Sequence, residues 1–148
     1  MNMTQIVDLF HNVKVDMVEA ATAEDQNDAE SNIVDMLGYE GAVFFGTIAT
    51  ANAGNYMKIQ QDTDSAGATM ADLTGTKVVA AANGQVVWCE VYKPQERYLR
   101  AYVEKGGAAT ATGDIYCIRY GGRKGMETNL TTNVIIGERH ISPDEGTA

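Results

Sequence analysis

The residues Arg97-Tyr98-Leu99-Arg100-Ala101-Tyr102-Val103-Glu104 change character at every step. Strand side chains alternate between two faces, so an extended backbone puts Leu99, Ala101 and Val103 on one side. Tyr98, Arg100, Tyr102 and Glu104 then line the other. A helix would scatter these residues around its axis, so the pattern demands a strand buried on one face. Similar patterning recurs in Tyr56-Met57-Lys58-Ile59-Gln60, Gln85-Val86-Val87-Trp88-Cys89-Glu90-Val91-Tyr92 and Asp114-Ile115-Tyr116-Cys117-Ile118-Arg119-Tyr120. Ala42-Val43-Phe44-Phe45-Gly46-Thr47-Ile48 is apolar nearly throughout and reads as a central strand.

Fifteen Gly against two Pro in 148 residues suit short strands joined by tight turns. Asn52-Ala53-Gly54-Asn55, Asn83-Gly84, Gly106-Gly107 and Gly121-Gly122 mark such turns, with Asn83-Gly84 expected to close a hairpin. Residues 20–31 are small and acidic and read as an exposed loop. Residues 62–74 form a polar excursion with one expected helical turn near Met70-Ala71-Asp72-Leu73. About eight strands in one chain predict an all-β fold, a single β-sandwich domain of jelly-roll type. The expected organisation is an N-terminal arm and acidic loop over 1–30, the sandwich over 31–136 and a C-terminal tail over 137–148. Ile6, Leu9, Phe10 and Val13 share a helix face, yet the same segment also suits an extended arm on another subunit.

Composition narrows the function. The formal charge is −9, and neither end carries a basic block. Nucleic-acid binding depends on Lys and Arg neutralising phosphates, so none is expected. No apolar run is long enough to span a membrane, and the first residues do not read as a secretory signal. Cys89 and Cys117 match no zinc spacing and read as buried thiols, with a disulfide between paired strands left open.

The sites that chemistry would use are thin. His11 and His140 lie in the terminal segments, away from any activated Ser or Cys. Asp62-Thr63-Asp64-Ser65-Ala66-Gly67 opens like a calcium loop but has Ala66 at position five and Leu73 where a bidentate Glu is needed. Gly121-Gly122-Arg123-Lys124-Gly125 lacks the spacing and the following helix of a phosphate-binding loop. Asn2-Met3-Thr4 and Asn129-Leu130-Thr131 fit the glycosylation pattern without a secretory signal to support it. Tyr92, Tyr98, Tyr102, Tyr116 and Tyr120 are either a stacking platform for sugars or bases, a protein contact, or a cover for the core edge. No catalytic residue, cofactor or metal is expected, and no enzyme.

Several blocks resemble a family of small structural proteins of tailed bacteriophages and prophages. They are Ile33-Val34-Asp35-Met36-Leu37-Gly38-Tyr39-Glu40-Gly41, Ala71-Asp72-Leu73-Thr74-Gly75-Thr76 and Val91-Tyr92-Lys93-Pro94-Gln95-Glu96-Arg97-Tyr98-Leu99-Arg100. Ile118-Arg119-Tyr120-Gly121-Gly122-Arg123-Lys124 and the ending His140-Ile141-Ser142-Pro143-Asp144-Glu145-Gly146-Thr147-Ala148 belong with them. The resemblance implies a virion component, a capsid cement or decoration protein on the outer surface of the mature head. It implies the major capsid protein and further copies of the chain, as a trimer, for partners. The expected contacts are the arm through Ile6, Leu9 and Phe10, and a cationic set of Arg97, Arg100, Arg119, Arg123 and Lys124. A tail with Ile135 and His140 would clasp a neighbour. A tail, neck or baseplate β domain and a virion carbohydrate-binding module are the alternatives.

Overall fold

A computed structural model describes residues 9–122, 135–137 and 145. Ile6, Arg123, Lys124 and His140 lie outside the described residues. A short helix, α1 (Leu9–Asn12), leads straight into β1 (Val13–Glu19). There follow β2 (Thr22–Asp25), β3 (Ala29–Glu30), β4 (Val34–Asp35), β5 (Gly41–Ile48) and β6 (Asn55–Asp62). The second half holds β7 (Ala71–Asp72), β8 (Val78–Val79), β9 (Gln85–Tyr92), β10 (Tyr98–Lys105), β11 (Thr110–Thr112) and β12 (Ile115–Tyr120).

These strands form two antiparallel sheets. The first runs β1-β12-β5-β11-β2, with β9 on the other side of β5. The second runs β3-β10-β6-β7, with β4 also on β10 and β8 also on β6. The core lies between them, as alternation requires. Phe44, Ile48, Ile115 and Cys117 reach in from the first sheet, and Met57, Ile59, Leu99, Ala101 and Val103 from the second. The fold is all-β, and the sandwich expected from the alternating strands is present.

Residues 13–30 hold strands in place of the expected acidic loop at 20–31, and the alternation of Val13, Val15 and Met17 with Lys14, Asp16 and Val18 marks β1. These residues supply β1 and β2 to the first sheet and β3 to the second. The acidic residues that suggested a solvated loop here meet partners far along the chain. Lys105 on β10, with no exposed surface, sends its ammonium to Thr22 Oγ1 at 2.7 Å, Asp25 Oδ1 at 2.9 Å and the Ala23 carbonyl at 3.3 Å. One lysine thus ties the two sheets together.

Two local expectations also change. Asn83-Gly84 joins β8 to β9, which belong to different sheets, so it carries the chain across the sandwich and closes no hairpin. Gly84 takes φ +75°, and its N–H donates to the Ile48 carbonyl at 3.0 Å. Residues 71–72 are strand β7 rather than a helical turn, because Ala71 and Asp72 pair with Gln61 and Gln60 of β6.

Candidate functional site

The two outer faces of the sandwich have opposite chemistry. On the second sheet, Tyr98, Arg100, Tyr102 and Glu104 of β10 stand opposite Asp62, Gln60, Lys58 and Tyr56 of β6. Nearly every charge there is matched. Arg100 pairs with Glu30 at 2.6 Å and bonds Gln60 at 2.7 Å, and Arg97 grips both oxygens of Asp35 at 2.7 and 2.8 Å. Lys58 lies 2.9 Å from Asp72 and 3.6 Å from Glu104. The tyrosine rings are covered as well: Lys58 and Arg100 sit over Tyr102, Arg97 over Tyr98 and Lys77 over Tyr56.

The first sheet presents a very different surface. Pairing registers align Met17, Tyr116, Phe45 and Trp88 in one row across β1, β12, β5 and β9. Val15, Ile118, Val43 and Glu90 make the next row, and Val13, Tyr120, Gly41 and Tyr92 the third. Thr47 and Val86 extend the face at one end. Glu90 is the one charged side chain in these rows. Among the large apolar side chains of this face Val86, Trp88 and Tyr92 are the most open, at 60%, 61% and 58% exposure. Phe45 and Tyr116 stack with ring centres 5.5 Å apart.

Glu90 is itself capped. The Tyr120 hydroxyl donates to its carboxylate, reaching across β5 from the far side. Gly41 makes the reach possible, since a Cβ there would collide with the Tyr120 ring. Burial first, then the bond to Glu90, pushes the Tyr120 hydroxyl up to about 12. On the other face Tyr102 is pushed up to about 12, chiefly by its hydrogen bond to Asp28.

The cations expected to form one set occupy separate places. Arg97 and Arg100 lie on the second sheet's outer face, already paired. Arg119 points inward from β12, holding Asp16 at 2.7 Å and the Asp35 carbonyl at 2.7 Å. The physical reason is cross-strand proximity: β3, β4 and β1 bring carboxylates beside each arginine. The tyrosines divide too, with Tyr98 and Tyr102 on one sheet and Tyr92, Tyr116 and Tyr120 on the other, so they make no single platform. Leu9 stands exposed in α1, which also contains Phe10, and Ile135 is half-buried.

The calcium-like loop is self-satisfied. Asp62 is buried and accepts from the N–H groups of Asp64 and Thr69 at 2.9 and 2.7 Å and from the Thr69 hydroxyl. Among the described residues no group of three or more His, Cys, Asp or Glu can hold a metal. Cys89 and Cys117 are free and both face Phe44, on opposite flanks of β5. Two strand spacings, about 9.5 Å, separate them, beyond the reach of a disulfide. An open cleft of about 400 Å³ lies between Met36–Glu40 and Lys93–Arg97, but its Arg97 is committed to Asp35.

The apolar outer face was missed because each contributing strand was read alone. Its signal is present in the sequence: β5 is apolar at both parities, and β9 and β12 place Trp88, Val86 and Ile118 opposite their core-facing residues. A two-sided apolar strand has two faces to cover, and the core covers one.

The two outer faces of this fold are thus unlike, one carrying paired charges and the other mostly apolar. The crystal structure of PBSX exported protein XepA shares this fold, with a TM-score of 0.53 at 14% sequence identity. The match covers 95% of this chain and 47% of XepA, so the chain spans about half of XepA's length. No family model and no curated protein matches the sequence.

Proposed function

We propose that this chain is a non-enzymatic structural protein of a phage particle, a cement or decoration protein seated on the outside of the mature head. The observation that carries the reading is the division between the two outer faces. Charged residues are depleted and aromatic residues enriched in the cores of protein interfaces, and the first sheet's outer face has that make-up. The second sheet's face, with its charges internally paired, suits exposure to water. XepA is a phage-related protein, and the shared fold supports a phage-associated structural role.

In this reading the major capsid protein meets the Met17–Trp88 and Val15–Glu90 rows. A protein that binds only the expanded shell stabilises it by mass action, and many copies add up modest contacts. The covered tyrosine rings of the second sheet speak against a sugar-stacking role there, since cations already occupy their faces.

The test is direct. Purified chain is added to expanded and unexpanded heads that lack it, then occupancy is read by electron microscopy and heat resistance by DNA release. Occupancy and protection on expanded heads alone are expected. Density on the tail, or no density on the particle, refutes the reading.

A further inference from the structure

The strand β9 is the outermost member of the first sheet on its side of β5, and among the described residues no strand pairs with its far edge. The phase of the ladder tells which backbone groups that edge presents. Odd-numbered residues of β5 bond away from β9: Gly113 N–H donates to the Thr47 carbonyl and Ala49 N–H to the Ala111 carbonyl, at 2.9 and 3.0 Å. On the β9 side, Lys93 N–H donates to the Glu40 carbonyl at 2.7 Å. Antiparallel bonds alternate, so Gln85, Val87, Cys89 and Val91 face β5. Val86, Trp88, Glu90 and Tyr92 therefore direct their N–H and C=O groups outward.

Proteins blunt such edges with lysines, prolines, bulges or very short strands. Eight residues of β9 contain none of these. The edge is also incompletely covered from inside. Core-facing Cys89 and Val91 stay partly exposed, whereas Phe44 and Cys117 in the same layer are fully buried.

We infer that β9 pairs antiparallel with β9 of a second copy about a two-fold axis at Cys89, joining two first sheets into one. Outward groups lie on even residues, so only registers matching even with even are available. Centring on Glu90 would set that carboxylate against its own copy, which like-charge repulsion opposes. Centring on Trp88 would set Val86 against Glu90 and Tyr92 against Gly84. Centring on Cys89 sets Val86 against Tyr92, Val87 against Val91 and Trp88 against Glu90, each twice by symmetry. Of these three registers, only the one centred on Cys89 pairs the exposed apolar side chains Val86 and Tyr92 with each other.

Charge does not oppose that occupant at this edge. Two chains of −9 repel each other over most of their surface. The edge and the face beside it carry only Glu90, already bonded by Tyr120, and Lys93, whose ammonium lies over the Tyr92 ring. A two-fold between antiparallel neighbours stands perpendicular to the sheet. Both apolar outer faces then lie on the same side, doubling the docking surface while leaving it open. The contact is isologous and closes at two copies. It stands apart from the capsid reading, since it is measured on the chain alone.

The experiment is sedimentation of the full chain over a range of concentrations. A dimer is expected. Val86→Lys with Tyr92→Lys sets like charges opposite one another at two exposed positions and should weaken dimerisation about tenfold or more. Val86→Lys with Tyr92→Glu pairs opposite charges in the same register and should restore it. Mild oxidation with a diazene reagent should link the copies through Cys89, as non-hydrogen-bonded partners approach to about 4.5 Å between Cα atoms. Cys89→Ser should abolish the link. A chain monomeric at every concentration, equal weakening by both double variants, or a dimer without the Cys89 cross-link overturns the proposal. So does a monomer with Val86, Trp88, Glu90 and Tyr92 amides protected from exchange, which would place another part of the same chain on the edge.

Discussion

Replacing Lys105 with Met tests whether the buried lysine holds the two sheets together or merely survives there. The ammonium has no exposed surface and makes its three bonds to residues of β2 in the opposite sheet. Breaking a buried ion pair costs about 3–5 kcal/mol when the partner is stranded. Here the partners are not stranded. The Asp25 side chain is 37% exposed and keeps its bonds from Asn27, and Thr22 keeps Thr112 at 2.7 Å. The Ala23 carbonyl is the group left short. Its loss, with the charge-assisted bonds gone and the ammonium's desolvation relieved, leaves a net cost of about 2 kcal/mol. For a domain of this length that lowers the midpoint by about 4–8 °C. Lys105→Ala also removes three buried methylene equivalents, raising the cost to about 4 kcal/mol. Urea and thermal unfolding followed by far-ultraviolet circular dichroism measure both. The Lys105 bond, then Asn27, holds the Asp25 carboxyl below its ordinary 3.8. A lowered folded value contributes stability above pH 3.8 that is lost as pH falls through it, so Lys105→Met should flatten that acid limb. A Lys105→Met chain as stable as the parent would refute the reasoning, showing that burying the ammonium costs as much as its bonds return.

Two further outcomes follow from the same contacts. Tyr102 and Tyr120, pushed up to about 12 from 10.0, should remain un-ionised at pH 11 in absorbance titration at 295 nm. A raised folded value means stability fully present below pH 10 and lost between 10 and 12; both residues titrating near 10 would contradict the assigned bonds. Asp62→Ala should free the N–H groups of Asp64 and Thr69, giving faster amide exchange and proteolysis confined to residues 63–70. Unchanged protection there would show that the loop is held by other means.

What could be read from the chain depends on how far apart the deciding residues lie. Alternation within β10, β6, β9 and β12 is local, and each appears where its pattern indicated. The acidic segment at 20–31 has no such pattern, because its strands are fixed by Lys105, Tyr102 and Arg100, some 70 to 83 residues away. The same distance hides the cations' partners: Arg97 meets Asp35 across 62 residues and Arg119 meets Asp16 across 103. An arginine read in isolation looks available for a partner, and only the strand order reveals that the chain supplies one. Asn83-Gly84 misleads for a related reason. Its backbone chemistry dictates a turn, but which sheet receives the next strand is decided by where Val87 and Ala80 find the core.

The placement of charge links the fold to the proposed role. The second sheet's outer face sets its cations against carboxylates in pairs that cancel, so the net charge of −9 comes from acidic residues outside those pairs. The first sheet's outer face is kept nearly neutral at some cost, since Gly41 is given over to letting Tyr120 reach Glu90. Two copies meeting edge to edge at β9, as proposed, would approach where the surface carries little net charge and leave both apolar faces open. A surface approaching the domain meets the same asymmetry and finds one side that admits close apolar contact. In the proposed role, orientation and adhesion would arise from a single arrangement, with ion pairs on one outer face and a mostly apolar surface bearing the capped Glu90 on the other.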